Sequence, residues 1–228
     1  MNAPVIAIDG PAGSGKGTVA ALVAARLGWH LLDSGALYRG LGQAALAAGI
    51  DPDDGAALGA LAARIELRFV DARLLLDGED ISARIRSEPA GLLASRVARH
   101  APVRAALRAW QRAAARPPGL VADGRDMGTA VFPEARVKVY LDATLAERAR
   151  RRYNQLKEKG MDANLADLVE ELRARDERDL RRAHDPLAIA PDATAIDTTN
   201  LSITAVLAQV MTLVARVMGE GGDGGRAR

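Results

Sequence analysis

The apolar positions of the chain fall in short runs, and most of these runs are followed by a longer segment of helix-forming residues. The first run is Val5–Ile8, and after a glycine-rich turn it leads into the helical stretch Val19–Leu27. Further strands are predicted at 29–32, 120–122, 137–141 and 194–197, and further helices at 33–48, 56–63, 87–99, 103–115, 144–159, 165–183 and 202–218. Five strand–helix alternations predict an α/β fold, a five-stranded parallel sheet with helices on both faces.

One region breaks this rhythm. Residues 64–70 alternate polar and apolar side chains, as a half-exposed antiparallel strand does, and a second short strand at 73–76 ends in the turn Asp77-Gly78. We therefore expect an inserted lobe. The predicted divisions are a core of 1–38 and 117–218, a lobe of 39–116 with its antiparallel insert near 64–82, a lid at 153–168 and a disordered tail at 219–228.

The glycine-rich turn has the sequence of a phosphate-binding loop. Gly10, Gly13 and Gly15 permit positive φ angles, so that successive backbone N–H groups can point at anionic oxygens. Lys16 adds a mobile positive charge at the start of the helix. A tight turn that binds nothing is the alternative interpretation. The predicted site for ATP phosphates, called the phosphate loop below, consists of Gly10, Pro11, Ala12, Gly13, Ser14, Gly15, Lys16, Gly17 and Thr18.

The loop departs from the usual pattern at one position. Gly17 follows the lysine where a Mg²⁺-binding hydroxyl commonly stands, and the hydroxyl of Thr18 comes one residue later. We expect Mg²⁺ to be held more by phosphate oxygens and waters, which it tolerates. Asp123, at the end of an apolar strand, is the predicted Mg²⁺-directing carboxylate, acting through water; a helix cap or turn residue is the alternative.

Arginine is the dominant cation, because only four of the 31 basic residues are lysine. Arg148, Arg151 and Arg152 share one face of a predicted helix, and Arg175, Arg178, Asp179 and Arg182 share a face of the next. Surface ion pairs with nearby acids would explain both clusters equally well from spacing alone. Their position on either side of 157–164 favours a lid that carries arginines over a phosphoryl group.

Composition limits the binding partners and the cellular location that we expect. The net charge of +2 and the aromatic content of 3% argue against a nucleic-acid surface. There is no cysteine, hence no disulfide framework. The start has no signal peptide, and no run of about 18 apolar residues follows. We expect a cytoplasmic protein, a monomer, without membrane or nucleic-acid partners.

Several longer stretches together resemble one enzyme family. They are HLLDSGALYR (30–39), LVADGRDMGTAVFP (120–133), QLKEKG (155–160), RARDERDLRRA (173–183) and DTTNLS (197–202). They are similar to the bacterial cytidylate kinases from Val5 to about Val217. The resemblance implies a nucleoside monophosphate kinase fold with a phosphate loop. It also implies transfer of the γ-phosphoryl group of ATP to CMP or dCMP, with Mg²⁺ and with closure of lobe and lid.

The resemblance also implies residue roles. Expected ligands of the CMP phosphate are Arg39, Arg125 and Arg182, with Ser34 beside them; those of cytosine are Ser95, Arg104 and Asp126; those of the ribose are Arg175 and Asp179. The residues expected to stabilise the transferring group are Lys16, Arg125, Arg148, Arg151, Arg152 and Arg182. A carboxylate suits the N4 amino donor of cytosine, whereas uracil offers an acceptor there, so CMP should be preferred to UMP.

Two other functions remain open at this point. The first is a related small-molecule kinase that acts on UMP, AMP or a sugar-like acceptor. The second is a non-catalytic arginine-rich module that binds RNA or regulatory nucleotides, which would show steep salt dependence and no ADP production.

Overall fold

The structure is a computed structural model that describes residues 3–70 and 73–219. Its elements in chain order are β1 Val5–Asp9, α1 Lys16–Leu27, β2 His30–Asp33, α2 Ser34–Ala47, α3 Gly55–Ala62, β3 Leu67–Val70, β4 Arg73–Leu76, β5 Glu79–Asp80, a 3₁₀ turn Arg84–Arg86, α4 Glu88–Val97, α5 Ala101–Ala113, β6 Leu120–Gly124, a π-helical turn Met127–Val131, β7 Val137–Asp142, α6 Leu145–Glu158, α7 Leu165–Leu180, β8 Thr194–Asp197 and α8 Ile203–Gly219.

The chain forms two compact units. Unit 1 contains the described residues of Met1–Leu32, Ala114–Leu180 and Leu187–Arg228, and unit 2 contains those of Asp33–Ala113 and Arg181–Pro186. In the part of the chain that the structure describes, no helix is both long and apolar enough to cross a membrane.

Unit 1 is built on the five-stranded sheet that the sequence predicted. The strand order is β2-β6-β1-β7-β8, and β1 pairs in parallel with both β6 and β7. Aliphatic side chains of β1, β6 and β7 form a core with α1 and α8, because short Ala, Val and Ile side chains let helices lie close to the sheet. The strand ends beyond which ligands bind in such folds are therefore those of β1, β6 and β7.

Unit 2 contains a second, three-stranded sheet of order β3-β4-β5, in which β4 pairs antiparallel with both neighbours. The first strand begins at Leu67, three residues later than the predicted Arg64. The N–H groups of Arg64 and Ile65 still bond to Leu61 O at the helix end, and the N–H of Glu66 donates to Asp77 Oδ1 at 2.8 Å. These bonds occupy the backbone N–H groups that would pair with a neighbouring strand if β3 began earlier.

The predicted end of helix α7 was also wrong. Helix α7 ends at Leu180 and not at Ala183, and Asp185 before Pro186 has a left-handed φ of 46°. Because proline restricts the residue before it, the chain leaves the helix ahead of this turn. The π-helical turn at Met127–Val131 was not predicted from the sequence. Of the predicted tail, Gly219 belongs to α8, and 220–228 lie outside the described residues.

Candidate functional site

The phosphate loop joins β1 to α1 within unit 1, and its glycines have the backbone angles that the sequence predicted. Gly10, Gly13 and Gly15 have φ values of 151°, 79° and 87°. A Cβ atom on Gly10 would lie 2.0 Å from Leu141 O, so that no larger residue fits there without moving β7. Gly15 is the N-cap of α1, and the helix therefore begins directly at the end of the loop.

Lys16 is folded back over this loop. Its Nζ atom donates to Pro11 O at 3.0 Å, and its side chain is buried. A lysine at the first helical position, with its ammonium group at the loop backbone, carries positive charge to the point where the N–H groups of α1 begin.

Two of the predicted lid arginines contact the phosphate loop through its carbonyl oxygens. Arg148 Nη1 donates to Ala12 O at 3.0 Å, and Arg151 Nη1 donates to Ser14 O at 3.3 Å. Thr198 Oγ1 lies 3.1 Å from the same Ser14 oxygen and also accepts from Arg151 Nη1 at 3.0 Å. Because the loop's carbonyl groups have these partners on one side of the loop, its N–H groups on the opposite side can donate to an anion.

Arg148 is the most enclosed of the three. It is 5% exposed, its Nε donates to Ala143 O at 3.0 Å, and its Nη2 pairs with Asp176 Oδ2 at 2.5 Å. Ala12 also packs with apolar residues of α6 and α7, namely Ala149, Leu156, Leu168 and Leu172. The ion pair joins α6 to α7, and the hairpin of these two helices is attached to the phosphate loop by the bond from Arg148 to Ala12 O and by the apolar cluster.

Arg152 and the acids around the cluster complete this face. Arg152 Nη1 donates to Gln155 on its own helix at 3.4 Å. Glu147 accepts from Arg150 and from Arg151, and these bonds hold its pKa below the ordinary value, with the Arg150 bond as the largest cause. Some of the cluster's charge is thus balanced by surface pairs, as the alternative interpretation expected.

The stretch Asp123–Thr129 lies beside the phosphate loop because β6 pairs with β1. Ile8 is opposite Asp123 and Asp9 is opposite Gly124. Asp123 and Asp126 are both buried. A Cβ atom on Gly17 would lie 3.0 Å from Asp123 Oδ2, so the carboxylate reaches the first turn of α1.

Asp9, the last residue of β1, is a buried carboxylic acid that the sequence analysis did not single out. It accepts hydrogen bonds from the N–H groups of Met127 and Gly128 at 2.8 and 2.7 Å. Burial raises its pKa to about 7, although the two N–H groups lower it; the charges of Asp126 and Asp123 raise it further.

Arg125 and Asp179, both predicted to bind the acceptor, form an ion pair within unit 1. Arg125 Nε is 3.0 Å from Asp179 Oδ2, and both side chains are largely buried. Burial works against the arginine cation, but the charge of Asp179 raises the pKa of Arg125 above its ordinary value. Arg175 lies one helical turn before Asp179 on α7.

Unit 2 holds the other predicted acceptor residues. Asp33 caps α2 by accepting from Ala36 N and also pairs with Arg39 Nη2 at 2.9 Å. Ser34 is the buried first residue of the helix. Arg182 was predicted to share a face of α7 with Arg175. That prediction was wrong, because the helix ends at Leu180, before Arg182.

Arg104 is buried within unit 2 and held by Asp185. Its Nε donates to Asp185 Oδ2 at 2.8 Å and its Nη1 to Ala98 O at 3.3 Å, while Arg108 bonds to the same carboxylate. Ser95 is buried on α4, and its Oγ has no hydrogen-bond partner among the described residues. A buried hydroxyl of this kind has donor and acceptor capacity for a ligand.

Comparison with known proteins shows the family of this chain. A family model described as Cytidylate kinase matches residues 6–216. The chain belongs to the cytidylate kinase family. It is 54% identical over 217 residues to a cytidylate kinase of Azotobacter vinelandii, covering 92% of this chain and 95% of that protein. It is 55% identical over 214 residues to one of Methylococcus capsulatus, covering 92% and 96%.

The donor set of this cytidylate kinase family member suits Mg²⁺ only in part. The carboxylate of Asp123 is a hard oxygen ligand next to the phosphate loop, which is the ligand type that Mg²⁺ prefers. Among the residues that the structure describes, no group of three or more His, Cys, Asp or Glu could hold a metal ion. The described residues therefore offer a carboxylate ligand but not a complete coordination sphere, which fits an ion bound mainly by phosphate oxygens and waters.

Four residues that contact the candidate site residues were not among the predicted site residues. They are Asp9, Asp176, Asp185 and Thr198, each a partner of a predicted residue or segment. Two of them carried a signal, since Thr198 lies in the family-like stretch DTTNLS and Asp176 in RARDERDLRRA. The partners of Asp9 and Asp185 are distant in sequence, and no spacing rule connects them.

The Gly10 substitution tests the loop geometry. We expect Gly10→Ala to weaken ATP binding by on the order of 100-fold, because the methyl group meets Leu141 O and the backbone must distort. Gly28→Ala is the matched control, since Gly28 also has a positive φ, 65°, but nothing lies within 4 Å of its Cβ position. Calorimetric titration with ATP measures both, and equal affinities would contradict the assignment.

The Arg148 substitution tests support of the loop from its carbonyl side. Arg148→Lys keeps the charge but cannot reach Ala143 O, Ala12 O and Asp176 together, so the Kd for ATP should rise about 10-fold. Arg150→Lys, at an exposed residue that pairs with Glu147, should leave the Kd unchanged. If both variants bind ATP like the wild type, Arg148 does not support the loop.

The raised pKa of Asp9 predicts a pH dependence of stability. Because the folded state favours the neutral acid, the contribution of Asp9 to stability is full below its ordinary pKa of 3.8 and is lost as pH rises through about 7. The free energy of unfolding of the wild type should therefore fall relative to that of Asp9→Asn between the ordinary pKa of 3.8 and about pH 7, and level off above it. Urea unfolding measures it, and parallel pH profiles would be inconsistent with a raised pKa.

Proposed function

We propose that this protein transfers the γ-phosphoryl group of ATP to CMP or dCMP, giving ADP and CDP or dCDP. The observation that carries the proposal is the pairing of β1 with β6, which puts the DGRDMGT segment against the start of the phosphate loop. A loop for the donor's phosphates and a buried carboxylate suited to cytosine thus lie at the ends of adjacent strands.

On the donor side, the phosphate loop binds the phosphates of ATP, and Lys16 contacts the transferring group. Arg148 and Arg151 act chiefly by supporting the loop, since their guanidinium groups already bond to its carbonyls. We assign Arg152, the residue after Arg151 on α6, to the phosphoryl oxygens. Mg²⁺, anchored near Asp123, would offset negative charge on the phosphates when bound.

On the acceptor side, the roles follow the chemistry of each group. Asp126 accepts from the N4 amino group of cytosine, and Ser95 and Arg104 donate to its acceptors. The proposed phosphate ligands are Arg39, Arg125 and Arg182, with Ser34 beside them, and Arg175 and Asp179 bind the ribose hydroxyls. The carboxylate partners of Arg39, Arg104 and Arg125 hold these guanidinium groups in place before any ligand binds.

The reaction needs no side-chain nucleophile. An oxygen of the CMP phosphate attacks the γ-phosphorus of ATP in line, and ADP leaves. Catalysis then rests on positioning the two phosphates and on positive charge around the equatorial oxygens. Residues 153–168, which include the connection between α6 and α7, are the proposed lid that excludes water. We further propose that the enzyme works in the cytoplasm as a monomer.

A substrate panel tests the function. ADP release from Mg·ATP should be fast with CMP and dCMP, slower with UMP, and slow with AMP or GMP. Turnover with AMP or UMP in place of CMP would keep the kinase fold but overturn the base assignment. Retention on RNA without any acceptor-dependent ADP release would favour the binding-module alternative.

Two substitutions of Asp126 sharpen the test. Asp126→Ala should lose the preference for CMP over UMP more than it loses turnover. Asp126→Asn should move the preference toward UMP, because its amide can donate to the O4 acceptor of uracil. The ratio of kcat/KM for CMP to that for UMP measures both effects, and an unchanged ratio in both variants would remove Asp126 from base recognition.

A further inference from the structure

The buried carboxylate of Asp9 bonds to the segment Asp123–Thr129 of unit 1, called the acceptor segment because Asp126 is proposed to bind the acceptor base. Asp9 is 5% exposed. Its Oδ1 accepts from Met127 N at 2.8 Å, and its Oδ2 accepts from Gly128 N at 2.7 Å. Each oxygen of the side chain is therefore bonded to one of two successive backbone donors, 118 and 119 residues away along the chain.

Those two donors are the first N–H groups of the π-helical turn Met127–Val131. The first N–H groups of a helix have no partner inside it and need an outside acceptor. Asp126 precedes the turn, with φ −145° and ψ 22°, and its own side chain makes no capping bond. Asp9 supplies the cap from the neighbouring strand instead.

The cap fixes the backbone of the acceptor segment. The carbonyl of Asp126 accepts from Ala130 N at 2.9 Å and Val131 N at 3.1 Å, so the residue is tied to the turn on its carbonyl side. A Cβ atom on Gly128 would lie 3.2 Å from Lys138 Cδ and 3.4 Å from Asp9 Oδ2, so the turn lies close to both side chains. The carboxylate of Asp9 is thus a side-chain link between β1 and the residues that follow Asp126, in addition to the β1–β6 pairing that ends at Gly124.

We propose that Asp9 is a positioning residue for acceptor recognition. By capping the Met127–Val131 turn from the end of β1, it fixes Asp126 in place relative to the phosphate loop, which begins at the next residue, Gly10. One side chain thereby links the backbone that binds the donor to the segment that reads the acceptor base. This inference rests on the proposed function, since it gives Asp126 its role in base recognition.

The experiment separates positioning from mere stabilisation of the fold. Wild type, Asp9→Ala and Asp9→Asn are compared at about pH 8, above the pKa of Asp9 of about 7. Val210→Ala is the control, because Val210 is fully buried between α8 and the sheet and its truncation destabilises unit 1 without touching the turn. KM values for CMP, UMP and ATP and the melting temperature are measured for each protein.

If Asp9 positions Asp126, its substitution should weaken recognition of CMP while binding of ATP changes little. In Asp9→Ala the KM for CMP should rise about 10-fold and the preference for CMP over UMP should fall, while the KM for ATP changes less than about twofold. Asp9→Asn, which keeps one acceptor oxygen for one N–H, should lie between wild type and Asp9→Ala. Val210→Ala should lose thermal stability with unchanged CMP preference.

Three results overturn the inference, and a fourth overturns the proposed function on which it rests. A folded Asp9→Ala with unchanged CMP preference would show that the cap does not position Asp126. Equal changes for CMP and ATP, as in a general loss of fold, would also overturn it. If Asp9→Ala does not fold, an Asp9→Asn variant with wild-type CMP preference decides against it. A wild-type enzyme without CMP preference instead overturns the proposed function. The measurements on the wild type alone show this result, before any variant is compared.

Discussion

A loop that binds phosphate through its backbone N–H groups must find other partners for its carbonyl oxygens. In this protein three of those carbonyls bond to cations: Lys16 bonds to Pro11 O, Arg148 to Ala12 O and Arg151 to Ser14 O. Donors on the carbonyl side fix the orientation of each peptide plane, and the opposite side of the same planes is left to the anion. Because Arg148 and Arg151 come from α6, the shape of the loop and the placement of the α6–α7 hairpin in unit 1 are set by the same bonds.

Buried arginines in each unit are held by aspartates. Asp179 holds Arg125 and Asp176 holds Arg148 in unit 1, while Asp185 holds Arg104 in unit 2. A buried guanidinium group without an anion would be costly, so each pair lowers the cost of burial while no nucleotide is bound. The pairs also fix side chains that would otherwise lose rotamer freedom on binding. With 29 acidic residues against 31 basic ones, the chain keeps its net charge near zero despite its arginine content.

The sequence predicted what depends on local pattern and missed what depends on distant pairing. The phosphate loop, the strands and the family motifs lie in continuous stretches, so spacing and glycine chemistry were enough to find them. The end of α7 at Leu180 was missed because the helical periodicity continues past it, although Asp185-Pro186 marks a turn. The π-helical turn was missed because its cap is Asp9, more than a hundred residues earlier. Spacing put Arg148 and Arg151 on one face but could not show that this face contacts loop carbonyls.

Arg148 supports the phosphate loop through Ala12 O, and we expect its guanidinium group to keep its place when the donor binds. Proton–nitrogen NMR of the arginine Nε–H groups, recorded without nucleotide and with Mg·ADP, tests this expectation. We predict that the Arg148 Nε–H signal, bonded to Ala143 O, keeps its shift and its protection from exchange while the backbone amides of Gly13, Gly15 and Lys16 shift. An Arg148 signal that moves or loses protection on binding, with loop amides unchanged, would show that the guanidinium group leaves its place and does not support the loop.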